Sequence, residues 1–85
     1  MTKEQILEKL KFDLESRGRS EATVKEYTEK VRLFQDHFGK PADQMGETEI
    51  IEYQHYLITE KGLKASSANT YNSALRFVLQ LLFII

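Results

Sequence analysis

Hydrophobic side chains recur along most of the chain at alternating spacings of three and four residues, which places them on one face of an α-helix. Polar residues between them, including Lys25, Glu29 and Arg32, then face outward. The pattern predicts an amphipathic helix over residues 21–38, with Ser20 as its N-cap. The apolar stripe of this second helix is Val24, Tyr27, Val31, Phe34 and Phe38.

A first helix precedes it. Thr2 and Gln5 have the spacing of a capping box, and a glycine at position 18 suits a left-handed helix end. Pro41 to Gly46 is predicted to be a loop, with Met45 entering the core. The apolar face of the first helix is Ile6, Leu7, Leu10 and Leu14.

Two further helices are predicted over about 47–60 and from Ser66 to at least Leu82. The inward residues of the third helix are expected to be Ile50, Tyr53, Leu57 and Ile58. Those of the fourth are Ala68, Tyr71, Leu75, Val78, Leu79 and Leu82. Since no segment shows the alternation of a strand, the expected fold is all-α. It is a compact four-helix bundle formed by one domain, residues 1–85.

Charge is distributed unevenly, although the net charge is only −1. Residues 36–60 contain Lys40 against six acids, whereas residues 61–85 contain three basic residues and no acid. The third helix is therefore acidic and the fourth basic, a pattern that also arises by chance in short chains. The final apolar residues, 83–85, either pack on the bundle or lead into a following domain.

Catalytic and metal-binding chemistry finds little support. The chain has no cysteine, and His37 and His55 lie on separate helices without a second ligand at metal spacing. Tyr27 and Tyr71 lie on apolar stripes and are expected in the core. The remaining two tyrosines lie on the acidic helix, where a phosphate would be repelled. We therefore expect no catalytic residue, no metal and no cofactor.

Two helix starts carry residues suited to DNA. Free amides at a helix N-terminus favour phosphate, and amide and guanidinium side chains can pair with base edges. If the two starts lie side by side, they can straddle a phosphate backbone. The same hydroxyl residues also serve as helix caps, which does not prevent a phosphate contact. The candidates are Arg17, Arg19, Ser20 and Lys25 at the second helix, and Lys61, Lys64, Ser66, Ser67, Asn69, Asn72, Ser73 and Arg76 at the fourth.

These residues also carry a resemblance. A glycine turn, Ser20-x-x-Thr23-x-x-x-Tyr27, a helix ending in an aromatic residue and a short acidic helix are followed by a second glycine turn and Ser67-x-Asn69. This ordered pattern, over roughly residues 6–83, resembles the N-terminal core-binding (SAM-like) domain of phage integrases and tyrosine recombinases. Lys64 departs from the pattern, because a capping serine is common there.

The resemblance implies a domain that clamps duplex DNA while a catalytic domain, absent from this chain, cleaves and rejoins strands. Its partners would be double-stranded DNA and other recombinase protomers, with no membrane and no small-molecule ligand. The chain itself would not be an enzyme, and its location would be cytoplasmic, with the nucleoid, in a bacterial or phage-encoded system. The alternative is a helical protein–protein interaction module that uses the acidic third helix and the apolar tail.

Overall fold

The computed structural model describes residues 1–83 and consists of four α-helices with one short 3₁₀ turn. Within that range there is no β-strand, so the predicted all-α, four-helix architecture is confirmed. Ile84 and Ile85, part of the predicted apolar tail, lie outside the described residues. The helices are α1 (Lys3–Ser16), α2 (Glu21–Phe38), α3 (Glu47–Thr59) and α4 (Ala65–Phe83), and the 3₁₀ turn is Ala42–Gln44.

The helix ends form where the local signals predict them. The backbone N–H of Gln5 donates to Thr2 Oγ1 at 3.1 Å, and that of Thr2 donates to Gln5 Oε1 at 2.9 Å, which completes the capping box. Ser20 Oγ accepts from the backbone N–H of Thr23 at 3.2 Å. Gly18 has a φ of 74°, a left-handed conformation that favours glycine and turns the chain from α1 into α2.

Phe34 is fully buried at the centre of the core and makes edge-to-face contacts with Phe38 and Tyr53, both at 5.4 Å between ring centroids. Met45 is buried as predicted. Ile58 was expected to face inward, but it is 40% exposed, because Leu57 takes the inward position one residue earlier. The buried residues include Ile6, Leu10, Leu14, Val24, Val31, Ile50, Ala68, Ala74, Leu75 and Val78.

Tyr27 and Tyr71 were predicted to be core residues, and the structure places both at the edge of the core. They are half-buried and pack against the fully buried residues. Tyr27 meets Phe77 edge-to-face at 5.7 Å, and Tyr71 lies 6.2 Å from Tyr53. Their rings cover the core while keeping contact with solvent, which suits a side chain with one polar end.

Helix directions differ from those of a simple up-down-up-down bundle. Aromatic pairs join Phe34 to Tyr53 and His37 to Tyr56, so α2 and α3 run in the same direction. In contrast, the contact of Tyr27 with Phe77, and of Lys30 with the Tyr71 ring, shows that α4 runs antiparallel to α2. The segment 40–46 therefore carries the chain back along the bundle before α3 begins.

Gln35 fixes that return segment. Its side chain is fully buried; Nε2 donates to the backbone carbonyl of Lys3 at 3.2 Å, and Oε1 accepts from the backbone N–H of Ala42 at 2.9 Å. Its own carbonyl accepts from Gly39 and Lys40 as α2 ends. One amide thus connects the start of α1, the end of α2 and the 3₁₀ turn.

Replacing Phe34 with alanine should lower the free energy of unfolding by about 3–5 kcal/mol, because it removes a ring from the packed centre. Urea denaturation followed by circular dichroism measures this change. Ile51→Ala, at a side chain that is 57% exposed, is the control and should cost little. A loss below about 1 kcal/mol for Phe34→Ala would contradict the central position of this ring.

Replacing Gln35 with leucine should cost about 1–3 kcal/mol although it adds an apolar side chain to the core, because the buried N–H of Ala42 loses its acceptor. The same denaturation measurement applies, with Gln44→Leu at an exposed glutamine as the matched control. An unchanged or increased stability for Gln35→Leu would show that the amide network does not hold the 3₁₀ turn.

Candidate nucleic-acid interface

The outer face of α4 is a row of exposed polar residues. Their spacings of three and four residues place them on one side of the helix, opposite the buried Leu75 and Val78. Asn72 is half-buried at the edge of the row. No carboxylate of α4 lies in it, as the sequence indicated. The row, called here the α4 face, is Ser66, Asn69, Ser73, Arg76 and Gln80.

Helix α3 contributes two side chains to this face. Gln54 Nε2 donates to Asn69 Oδ1 at 3.2 Å. Arg76 donates through Nη1 and Nη2 to the two carboxylate oxygens of Glu47, at 2.8 and 2.6 Å, and through Nε to Asn72 Oδ1 at 3.1 Å. Arg76 therefore holds the pKa of Glu47 below its ordinary value of 4.5, and Glu47 raises the pKa of Arg76.

Sequence reasoning did not find Glu47 at this face. The residue is the first of α3, where an acid interacts favourably with the helix N-terminus, and this local role accounts for its charge without a partner in α4. Its partner is 29 positions away in sequence. Spacing within α4 identifies the exposed row but says nothing about which neighbouring helix borders it.

The start of α4 carries a second group of candidates. Lys61, Lys64, Ser66 and Ser67 are all exposed. Gly62, with a φ of 70°, lies in the turn between α3 and α4. Lys61 also borders a cleft of about 440 Å³ beside His37 and Tyr56. This group is continuous with the α4 face, because Ser66 belongs to both.

The start of α2 lies at the opposite end of the molecule. Because α2 and α4 are antiparallel, Arg17 is next to Phe77 in the second half of α4, far from Lys61. The 18 residues of α2 separate the two starts by roughly 27 Å at 1.5 Å per residue. The two helix starts therefore do not lie side by side, as straddling one phosphate backbone would require, since the return segment reverses the relation between the helices.

Arg17 and Lys25 have neighbours that the sequence did not reveal. Arg17 Nε donates to Asp13 Oδ2 at 2.7 Å, and the guanidinium lies 5.3 Å from the centre of the Phe77 ring. This residue links the end of α1 to α4 through a cation–π contact. Lys25 lies in a shallow groove between α1 and α2 together with Arg19, and carboxylates also line the groove: Glu15, Glu21 and Glu29.

His37 belongs to an aromatic cluster between α2 and α3. His37 is exposed and packs against Tyr56 and Tyr53, with ring centroids at 4.4 and 5.1 Å. Burial raises the pKa of Tyr53 from its ordinary value of 10.0 to about 12. Among the residues described, no group of three acidic or histidine side chains is placed to hold a metal ion.

Comparison with known proteins agrees with the architecture. Residues 6–82 match the family described as phage integrase, N-terminal SAM-like domain. The chain belongs to this family. The integrase SAM-like domain is also 39% identical over 72 residues to the protein named "Putative integrase/recombinase y4qK" of Sinorhizobium fredii (strain NBRC 101917 / NGR234). The alignment covers 85% of this chain and 23% of that relative, and no solved structure matches.

The resemblance drawn from the two glycine turns, Ser20-x-x-Thr23-x-x-x-Tyr27 and Ser67-x-Asn69 is thus confirmed at the level of the family. In this SAM-like domain, the departure at Lys64 does not prevent α4 from starting at Ala65, 44 positions after α2 starts at Glu21. Within residues 1–83, no helix combines the length and apolar character that a membrane crossing requires.

Ionisation of the tyrosines provides a test of the buried cluster. Spectrophotometric titration near the tyrosinate absorbance band should show a tyrosine with a pKa of about 12, and this step should disappear in Tyr53→Phe. Because the folded-state pKa is raised, Tyr53 stabilises the fold below its ordinary pKa of 10.0, and that contribution is lost as pH rises through about 12. Titration of all tyrosines near 10 would contradict the burial.

Proposed function

We propose that this domain binds double-stranded DNA as the N-terminal part of a tyrosine site-specific recombinase or integrase. It forms one side of a clamp around the duplex, and a separate catalytic domain performs strand cleavage and rejoining. The observation that carries the proposal is the α4 face, a solvent-facing row without a carboxylate of its own, which continues into Lys61 and Lys64.

An α-helix fits the major groove of B-DNA, which is about 12 Å wide. The α4 face extends over roughly 21 Å between Ser66 and Gln80 at 1.5 Å per residue, enough to follow the groove floor. Asn69 and Asn72 have the amide groups that pair with adenine edges. Ser67 and Ser73 add hydroxyl donors, and the two lysines before the helix provide charge for phosphates.

The α2 start supplies the second contact. The candidates at this start lie at the end of the domain opposite Lys61. They are Arg17, Arg19, Ser20 and Lys25. A separation of roughly 27 Å corresponds to about eight nucleotides along one strand at 3.4 Å each. The two helix starts therefore bracket a stretch of duplex instead of holding one phosphate row between them.

In this proposal the domain contributes binding and no bond-breaking step. Tyr53 is a buried phenol, and His37 is packed against aromatic rings, so neither is prepared to act on a phosphate. The partners are duplex DNA and neighbouring recombinase protomers on that DNA, with no metal or cofactor in the domain. The domain acts where the DNA is, with the nucleoid in the cytoplasm.

The second candidate is a helical protein–protein interaction module. Ile51 and Ile58 are 57% and 40% exposed on the acidic helix α3, and their spacing of seven residues places both on one face. Phe12 on α1 is 73% exposed. Exposed apolar side chains that adjoin one another on one face, as on α3, are typical of contacts with proteins. Salt dependence separates the two functions, since counterion release dominates only DNA binding.

The double change Lys61→Gln with Lys64→Gln should weaken binding to duplex DNA and reduce the slope of log affinity against log salt by nearly two, about 0.9 for each lost phosphate contact. Fluorescence anisotropy with a labelled duplex, over about 50 to 200 mM salt, measures both quantities. The control is Lys3→Gln with Lys9→Gln, which removes the same charge from α1, where no contact is proposed. Equal effects of the two double changes would place the interface elsewhere and favour the protein-interaction function.

A further inference from the structure

We propose that Glu47 acts as a competing ligand for Arg76, so that Arg76 reaches DNA only when the DNA displaces this carboxylate. The inference rests on the proposed DNA-binding function and concerns the specificity of the same face. Glu47 would then limit binding to DNA of arbitrary sequence while it permits binding where the bases offer a good replacement.

The hydrogen bonds that the Arg76 guanidinium already makes limit what else it can bind. An arginine has five N–H donors arranged along two edges that can each make a pair of parallel bonds. Glu47 takes the edge formed by Nη1 and Nη2, at 2.8 and 2.6 Å. Asn72 takes the Nε donor of the other edge, at 3.1 Å. Arg76 therefore has no intact pair of donors for a phosphate or a guanine.

Because the ion pair of Arg76 with Glu47 is exposed to solvent, DNA can reach Arg76 and take the place of the carboxylate. The side chains of Arg76 and Glu47 are 49% and 59% exposed, so the ion pair is screened by water and salt. Glu47 is the first residue of α3, and the start of that helix is fixed by Glu49 Oε1, which accepts from the backbone N–H of Gly46 at 2.7 Å. The competing carboxylate is thus held next to Arg76 without being part of the core.

Discrimination between DNA sites depends on which DNA group replaces the Glu47 carboxylate as the hydrogen-bond acceptor of Arg76. Guanine offers two acceptors, O6 and N7, in the geometry of an arginine edge. It can therefore restore both bonds that Glu47 gives up. A phosphate at an arbitrary position on the DNA restores both hydrogen bonds only when its oxygens are oriented toward the two Arg76 donors. The released Glu47 carboxylate then repels neighbouring phosphates. A repulsive or competing group of this kind raises specificity by weakening the wrong complexes most.

The test uses the full chain and a labelled duplex of mixed sequence, about 20–30 base pairs long and therefore a non-specific probe. Glu47→Ala should bind this probe about tenfold more tightly at about 50 mM salt and steepen the log–log salt slope by about 0.9, because Arg76 gains a phosphate contact. Glu52→Ala removes the same charge from the exposed side of α3 and is the matched control. It should have a much smaller effect and leave the slope unchanged.

The double variant Glu47→Ala with Arg76→Gln separates release of Arg76 from general electrostatics. The gain in affinity should disappear in this variant if it requires the guanidinium. If the gain persists, or if Glu47→Ala and Glu52→Ala behave alike, the inference is overturned while DNA binding stands. If neither the unchanged chain nor any variant binds the probe at low salt, the proposed DNA-binding function fails, and this inference fails with it. Circular dichroism confirms helical folding of each variant, and Glu47→Gln replaces the alanine change if that variant does not fold.

Discussion

The side chain of Gln35 is fully buried, and both ends of its amide are hydrogen-bonded, to Lys3 in α1 and to Ala42 in the 3₁₀ turn. A buried amide without partners destabilises a fold, so the position of the two backbone partners is strongly specified once Gln35 is enclosed. The amide holds the chain immediately after α2. The position of this segment in turn determines the burial of Met45, the start of α3 at Glu47 and the direction of α3.

The relative directions of the helices determine which residues meet at the candidate interface. Because the return segment lets α3 run parallel to α2, α4 packs antiparallel to both, and its outer row borders α3. Glu47 then comes level with Arg76, and Gln54 with Asn69. The same arrangement moves the basic start of α2 to the other end of the molecule. The composition of each helix decides its charge, and the return segment decides which charges become neighbours.

Local features could be predicted from the sequence because their causes are local. The capping box at Thr2, the cap at Ser20 and the left-handed glycine at position 18 depend on residues within one or two turns, and the exposed row of α4 depends only on spacing within one helix. Gln35 was missed, although it lies four residues after Val31 on the buried side of α2. The pair of Arg76 with Glu47 could not be predicted, because it depends on helix direction and on a contact across 29 positions.

The central place of α4 also has a consequence for the order of events during synthesis. This helix supplies Ala68, Leu75 and Val78 to the core and packs against α2, α3 and the 3₁₀ turn, yet the ribosome makes it after all of them. The α1–α2 hairpin can form from nearby contacts as soon as it emerges, while α3 has its main packing partner only once α4 exists. A nascent chain that ends before α4 lacks Tyr71, which packs against Tyr53, and so leaves uncovered part of an aromatic ring that the finished domain encloses. Pauses in translation between α3 and α4 would prolong that exposure, and with it the period in which chaperones can bind.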